Sequence, residues 1–425
     1  MSGRPAPLRS ILGGAAGNLV EWFDWYVYSA FSLYFAKAFF PGQDQTAQFL
    51  ATSGIFWIGF LMRPIGGWLL GRIGDRRGRR TALAWSVALM GGGSLLLAVT
   101  PVYAQIGIAA PILLMLARII QGLSLGGEYG AAATYLSEIA PEGRRGFWSS
   151  FQYVTLYGGQ LLALAFLLSL QASGADEAAL SSWGWRLAFV MGATLAFGIY
   201  WLRRGIEETP DFTAETAPER RAGGVAELWR DHRRSVLIAF GLAVGSNVAF
   251  YTYTTYMQKY LVVTAGFSKP TASQICATAT IVAILIQPLL GGLSDRIGRK
   301  PLLYGFAIGG IVGTVPLMTA IGRTHDAMTA FALVLAALVI LSGSTATSAI
   351  VKAELFPPHV RALGVGLPYA LSQSIFGGSA EAVALRLKQV GHESYYFWYV
   401  TATIGVALIA TISMRQPQDD IHRSG

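Results

Sequence analysis

The chain of 425 residues has a single cysteine, Cys276, and only 13% of its residues are charged, against roughly a quarter in an ordinary soluble protein. One cysteine excludes an internal disulfide and a cysteine metal cluster, and its apolar neighbours in sequence point to a buried thiol. So little charge excludes a soluble domain of the usual kind. There is no HExxH pair for zinc and no GxxxxGK[ST] loop for a nucleotide phosphate. The pattern GxSxG occurs at Gly122–Gly126, but inside an apolar run. His232, His325, His359, His392 and His422 all fall in loops or the tail, so no base is at hand for hydrolysis. The expectation is a protein that is not an enzyme and uses no cofactor or metal. The net charge of +9 does not call for nucleic acid, because the basic residues lie between apolar segments rather than along one face; lipid headgroups and topology explain them.

What is present is apolar. Hydrophobic residues make up 53% of the chain and there are 50 glycines, small residues that let helix backbones approach closely in lipid. Apolar stretches at 11–37, 47–72, 81–100, 106–138, 147–172, 184–204, 235–260, 271–293, 301–322, 327–353, 363–389 and 394–414 predict an all-α polytopic membrane protein with twelve transmembrane helices. Arg4 and Arg9 precede the first run, which has no small-residue cleavage pattern and therefore reads as a membrane helix rather than a removed signal.

Alternating these helices puts both termini on one side. Of the 32 Lys and Arg, 23 fall on that side, Lys352 among them; 7, including Lys259, fall on the other; Arg63 and Arg118 lie within helices. The positive-inside rule then puts both termini in the cytoplasm.

The chain also repeats itself. GRIGDRRGRRTAL at 71–83 aligns with GGLSDRIGRKPLL at 291–303, and EIAPEGRR from Glu138 aligns with ELFPPHVR from Glu354. The offsets are near half the chain length. Two pseudo-symmetric six-helix bundles are expected, 1–204 and 235–425, joined by a cytoplasmic linker at 205–234, with substrate bound between them and access alternating by rocking.

Together with RIIQG at Arg118–Gly122, the duplicated loops resemble the major facilitator superfamily. GNLVEWFDWYVY (Gly17–Tyr28), GFLMRPIGGWLLG (Gly59–Gly71) and QGLSLGGEYGAAATYLSEIAPEGRRG (Gln121–Gly146) resemble its metabolite:proton symporters. SSFQYVTLYGGQLLAL (Ser149–Leu164), FYTYTTYMQKYLVVTAG (Phe250–Gly266), KAELFPPHVRALGVGL (Lys352–Leu367) and FGGSAEAVALRLK (Phe376–Lys388) are similar to the branch that carries α-ketoglutarate. The resemblance spans about Gly13–Met414. It implies proton-coupled import of a small dicarboxylate, α-ketoglutarate first, by a monomer in a bacterial inner membrane. Citrate, shikimate, proline or betaine as substrate, and proton-coupled export, remain alternatives. Some members of that branch have histidine where this chain has Arg77, and an arginine stays charged, so no titrating role can belong there.

Ionisable residues inside membrane helices are costly and so point to function. Asn18, Glu21, Asp24, Trp25 and Tyr28 recur at three- and four-residue spacing and draw a polar stripe along the first helix. Arg63 and Arg118 either recognise a carboxylate through the guanidinium fork or are fixed partners of Glu21, Asp24 or Glu128. Tyr28, Gln152, Tyr153, Asn247 and Tyr251 are further substrate-binding candidates. Glu21, Asp24, Glu128 and Glu381 are the proton-coupling candidates. Four such carboxylates against two arginines imply excess negative charge, a motive for proton uptake with an anion. The repeat offsets give the first-half charges no counterparts in the second half, which suggests that the first half handles charge and the second shapes specificity. Asp75, Arg79, Arg80, Glu138 and Arg145, with Asp295, Arg299, Lys300, Glu354 and Arg361, are expected to gate the end that carries the termini. Gly67 and Gly71 form a GxxxG helix-packing pattern.

Overall fold

The structure is a computed structural model that describes residues 8–77, 79–124, 133–134, 140–141, 143–204 and 224–414. Glu128, Glu138 and the linker at 205–223 lie outside the described residues, as do the side chains of Asp75, Arg79 and Arg80.

Twelve long helical segments follow one another among the described residues, as the hydropathy runs predict. They are α1 (Leu8–Phe39), α2 (Gln45–Arg77), α3 (Arg79–Val99), α4 (Ala109–Ser124), α5 (Arg145–Ala172) and α6 (Trp185–Arg204). The second half has α7 (Arg233–Val263), α8 (Lys269–Ile297), α9 (Lys300–Arg323), α10 (Ala327–Glu354), α11 (Arg361–Gln389) and α12 (Glu393–Ser413). Seven of these, α2, α5, α7, α8, α9, α10 and α12, contain stretches long and apolar enough by themselves to cross a membrane. Two are interrupted by π-helical turns, α7 at Thr252–Tyr256 and α11 at Gln373–Gly377. Each turn rotates the side chains that follow it relative to a regular α-helix.

The two bundles repeat the same packing. In the first, α1 packs on α5 and α6, α2 on α4, and α3 on α4 and α6; in the second, α7 packs on α11 and α12, α8 on α10, and α9 on α10 and α12. The bundles meet along α5 against α8 and along α2 against α11, which are equivalent pairs under the repeat. This is the expected twelve-helix architecture of two pseudo-symmetric bundles.

Glycine sets the closest approaches. A Cβ on Gly122 of α4 would run into the backbone of Gly59 on α2, and one on Gly66 of α2 would run into that of Leu123. Among the described residues the α2–α4 contact therefore uses Gly59 and Gly66. At the seam between bundles, a Cβ on Gly291 of α8 would meet Gly146 O of α5 at 2.6 Å.

Candidate functional site

The centre of the molecule is a column of cations separated by aromatic rings. Arg118 of α4 is fully buried; its Cζ lies 3.9 Å from the Trp25 ring centroid, 4.5 Å from Tyr28 and 5.2 Å from Phe56. Arg63 of α2 lies 4.3 Å from Trp25 and 4.2 Å from Phe60. Trp25 thus serves both guanidiniums, and a desolvated contact of this kind is worth about 2 kcal/mol or more. The three- and four-residue spacing of the α1 stripe brings Trp25 and Tyr28 to these cations.

Hydrogen bonds fix one corner of each guanidinium. Arg118 Nη1 donates to Gln121 Oε1 at 2.7 Å, and Gln121 Nε2 donates to Asp24 Oδ2 at 2.6 Å and to Ser94 Oγ at 3.0 Å. Ser94 also donates to Asp24 Oδ1. Arg63 donates to Gln373 Oε1, and Gln373 Nε2 donates to the hydroxyls of Tyr251 and Tyr369, each at 2.9 Å. Glu21 contributes a charge interaction with Arg63. Among the described residues, the Nε and Nη2 atoms of both arginines are buried without a hydrogen-bond acceptor. Buried donors of charged groups are costly to leave unsatisfied, and two forks with donors in hand suit a carboxylate.

Most of the predicted site residues converge. Tyr28 faces Arg118 and donates to Thr52 O at 3.0 Å. Asn247 Nδ2 donates to Ser372 Oγ at 3.2 Å, one residue before Gln373. Tyr153 is buried against Phe250, next to Tyr251. Gln152 is buried in the same helix. Glu381 stands apart: it is buried in α11, pairs with Lys259 Nζ of α7 and accepts from Ser53 of α2, with both contacts on Oε1.

Two readings of charge need correction. Lys259, counted with the basic residues on the side opposite the termini, is 2% exposed within α7, and Lys352, counted on the side of the termini, is 2% exposed within α10, where Nζ donates to Ser348 Oγ at 2.7 Å. The described intramembrane carboxylates Glu21, Asp24 and Glu381 therefore face four cations, not two. The supposed excess of negative charge disappears, and the second half holds Lys259 and Lys352 besides Glu381, so handling charge is not confined to the first half. Both lysines sit within the last residues of their apolar runs, 235–260 and 327–353, where an ionisable residue is counted with the flanking charges rather than with the buried ones. Gln373 and Ser94 were also missed, because an uncharged polar residue in an apolar run gives no signal of its own.

The bundles are joined at both ends. On the side of the termini, Asp295 accepts from Gly146 N at 2.7 Å and Phe147 N at 2.9 Å in the first turn of α5. Arg299 Nη1 donates to Asp295 at 2.8 Å, and its Nη2 reaches Glu354 at 3.4 Å. Arg145 is exposed beside this turn, Lys300 opens α9, and Arg361 donates to Phe356 O at 3.2 Å. At the opposite end, Lys269 of α8 pairs with Glu177 of the first bundle at 2.6 Å. Between the ends, Trp57 Nε1 of α2 donates to Ser374 O of α11 at 2.8 Å. The described residues thus join the two bundles on both sides of the cation column.

The family model of the Major Facilitator Superfamily matches residues 14–380. The chain is 52% identical over 407 residues to the α-ketoglutarate permease of Escherichia coli (strain K12), covering 96% of this chain and 93% of that one. It is 34% identical to the citrate-proton symporter of Salmonella typhi, covering 97% and 95%, and 30% identical to the proline/betaine transporter of Escherichia coli (strain K12), covering 96% and 83%. Among solved structures, a D-xylose-proton symporter superposes with a TM-score of 0.75 at 19% identity, covering 96% of this chain and 97% of that one, a likeness of fold. A multi-pass membrane protein of two six-helix bundles, built for transport and not for enzymatic chemistry, this chain belongs to the Major Facilitator Superfamily.

Proposed function

We propose that the chain is a proton-coupled symporter that brings a small dicarboxylate, α-ketoglutarate, into the cell by alternating access. The observation that carries this reading is the pair of buried arginines, each with Nε and Nη2 lacking an acceptor among the described residues and each stacked on Trp25. Arg63 and Arg118 hold the substrate, with Tyr28, Gln152, Tyr153, Asn247 and Tyr251 shaping the space around it. The relative at 52% identity, which is named for α-ketoglutarate, supports that substrate over citrate, shikimate or proline.

Coupling follows from competition. Asp24 shares Gln121 with Arg118, Glu21 acts on Arg63, and Glu381 is paired with Lys259. A substrate carboxylate entering this column competes with the protein's own carboxylates for the same cations. Protonating one of them removes the competitor and keeps the buried charge balanced, since a lone buried ion is costly. Binding of the anion and uptake of the proton therefore favour each other. Glu128 is a further proton-coupling candidate.

Asp295, Arg299, Lys300, Glu354 and Arg361 gate the end with the termini, together with Asp75, Arg79, Arg80, Glu138 and Arg145. That end faces the cytoplasm of a bacterial inner membrane by the basic-residue bias. The bundles at 1–204 and 235–425 rock about the site, joined by the linker at 205–234, and a monomer suffices.

The test is uptake of labelled α-ketoglutarate into proteoliposomes with an imposed proton gradient, competed by a panel of metabolites. Accumulation that follows the gradient and is competed by dicarboxylates is expected. Uptake indifferent to the gradient refutes symport; competition by shikimate or betaine alone refutes the substrate.

A further inference from the structure

The column does not end at the arginines. Arg118 faces one side of the Tyr28 ring, whose hydroxyl donates to Thr52 O. The next residue along α2, Ser53, donates to Glu381, and Glu381 pairs with Lys259. Lys259 is therefore the cation reached from Arg118 by way of Tyr28, which lies within electrostatic reach of both Arg118 and Glu381. Arg63 lies ten residues further along α2 from Ser53, about 15 Å of helix rise, on the far side of Trp25. Arg118 is thus the arginine that Lys259 would share a substrate with.

The Lys259–Glu381 pair has the marks of an exchangeable contact. Both residues are 2% exposed and come from different helices, while Ser53 reaches in from the other bundle. Lys259 and Ser53 both bind Oε1, and Oε2 is buried with no hydrogen-bond partner among the described residues. A fixed structural pair would satisfy both oxygens. Tyr28 of α1, Tyr256 of α7 and Tyr396 of α12 also lie within electrostatic reach of Glu381.

We propose that Lys259 is a second carboxylate subsite and that Glu381 occupies it in the substrate's absence. When the dicarboxylate arrives, Glu381 takes up one proton and becomes a neutral acid. The Lys259 ammonium and the Ser53 hydroxyl transfer their hydrogen bonds from Glu381 to the substrate's far carboxylate, while Arg118 holds the near one. One carboxylate replaces another on the same cation, so the site's charge is unchanged, and a proton enters with the substrate. The proposal rests on the carboxylate-symport reading above and assigns to a particular pair of residues one proton and the preference for two carboxylates.

The test uses the full chain in lipid nanodiscs, with equilibrium binding of labelled α-ketoglutarate followed across pH. Wild-type affinity is expected to fall by up to about tenfold per unit rise in pH while one proton is taken up with the substrate. Glu381→Gln, which mimics the protonated acid, is expected to flatten that slope and still exchange labelled for unlabelled substrate, which moves no net proton. A wild-type slope retained in this variant overturns the proposal. The double variant Lys259→Met with Glu381→Gln removes both charges together and leaves no lone buried ion. It is expected to lose at least about tenfold in its preference for the dicarboxylate over its monomethyl ester; an unchanged preference also overturns the proposal. If the wild type itself binds no dicarboxylate, the symport reading fails instead, and loss of binding at every pH in Arg118→Gln supports that reading independently of Lys259.

Discussion

Asp24 and Arg118 are joined through Gln121, which accepts from the guanidinium at 2.7 Å and donates to the carboxylate at 2.6 Å. The arrangement keeps the acid near enough to oppose an incoming anion while leaving Nε and Nη2 of the arginine for substrate. Asp24→Asn keeps the shape and removes the charge. Substrate should then bind a few-fold more tightly, and gradient-driven uptake should fall as release slows. Binding and initial-rate measurements on the same reconstituted protein check this; an unchanged Kd would mean that Asp24 does not act on the anion site.

Trp25 holds both arginines, so Trp25→Leu should weaken substrate binding by about tenfold or more, in line with loss of a buried cation–π contact. Trp25→Phe, which keeps a ring face, should recover part of that loss. Isothermal titration or radioligand binding distinguishes the two variants. Equal affinity in both would remove the aromatic face from the account.

The Asp295 carboxylate accepts two α5 amides and the Arg299 guanidinium. A hydrogen bond to a charged group is worth about 1.5–3 kcal/mol, so Asp295→Ala should shift the population toward forms open at this end. A cysteine placed at Ser150 in a Cys276→Ser background reports it: maleimide labelling should quicken several-fold. A labelling rate equal to that of the parent would argue against a gating role.

Gly122→Ala forces a methyl into the Gly59 backbone, and overpacking of this sort costs about 1–3 kcal/mol. Thermal stability in detergent should drop by several degrees, with a matching loss at Gly66→Ala. Gly54→Ala in the same helix, where an added Cβ meets nothing within 4 Å, should be tolerated. A larger loss at Gly54 than at Gly122 would contradict the helix packing described above.

How far the sequence could be read depended on how each residue differs from its neighbours. The helices were legible because apolar runs about the length of a bilayer stand out from charged loops, and the doubled bundle was legible because Asp75 and Asp295 sit in matching segments at the ends of α2 and α8. Arg63 and Arg118 were legible as lone charges in the middle of such runs. Lys259 and Lys352 were not, because hydropathy alone cannot separate a helix end from a loop. Gln373 was hidden for a different reason: it carries no charge, and its bond to Arg63 crosses between the bundles, which no pattern along one helix shows. The cross-bundle contacts of Lys269 with Glu177 and of Ser53 with Glu381 depend on tertiary approach that a linear pattern does not encode.

The grip of Asp295 on the first turn of α5 also bears on the solvent. Opening that end exposes two amides, a carboxylate and a guanidinium that the closed form satisfies internally, and all four must be hydrated. The balance between closed and open forms therefore depends on water activity as well as on substrate and protons. Solutes excluded from protein surfaces favour the form with less hydrated area, so crowded or hyperosmotic solution should hold this end shut.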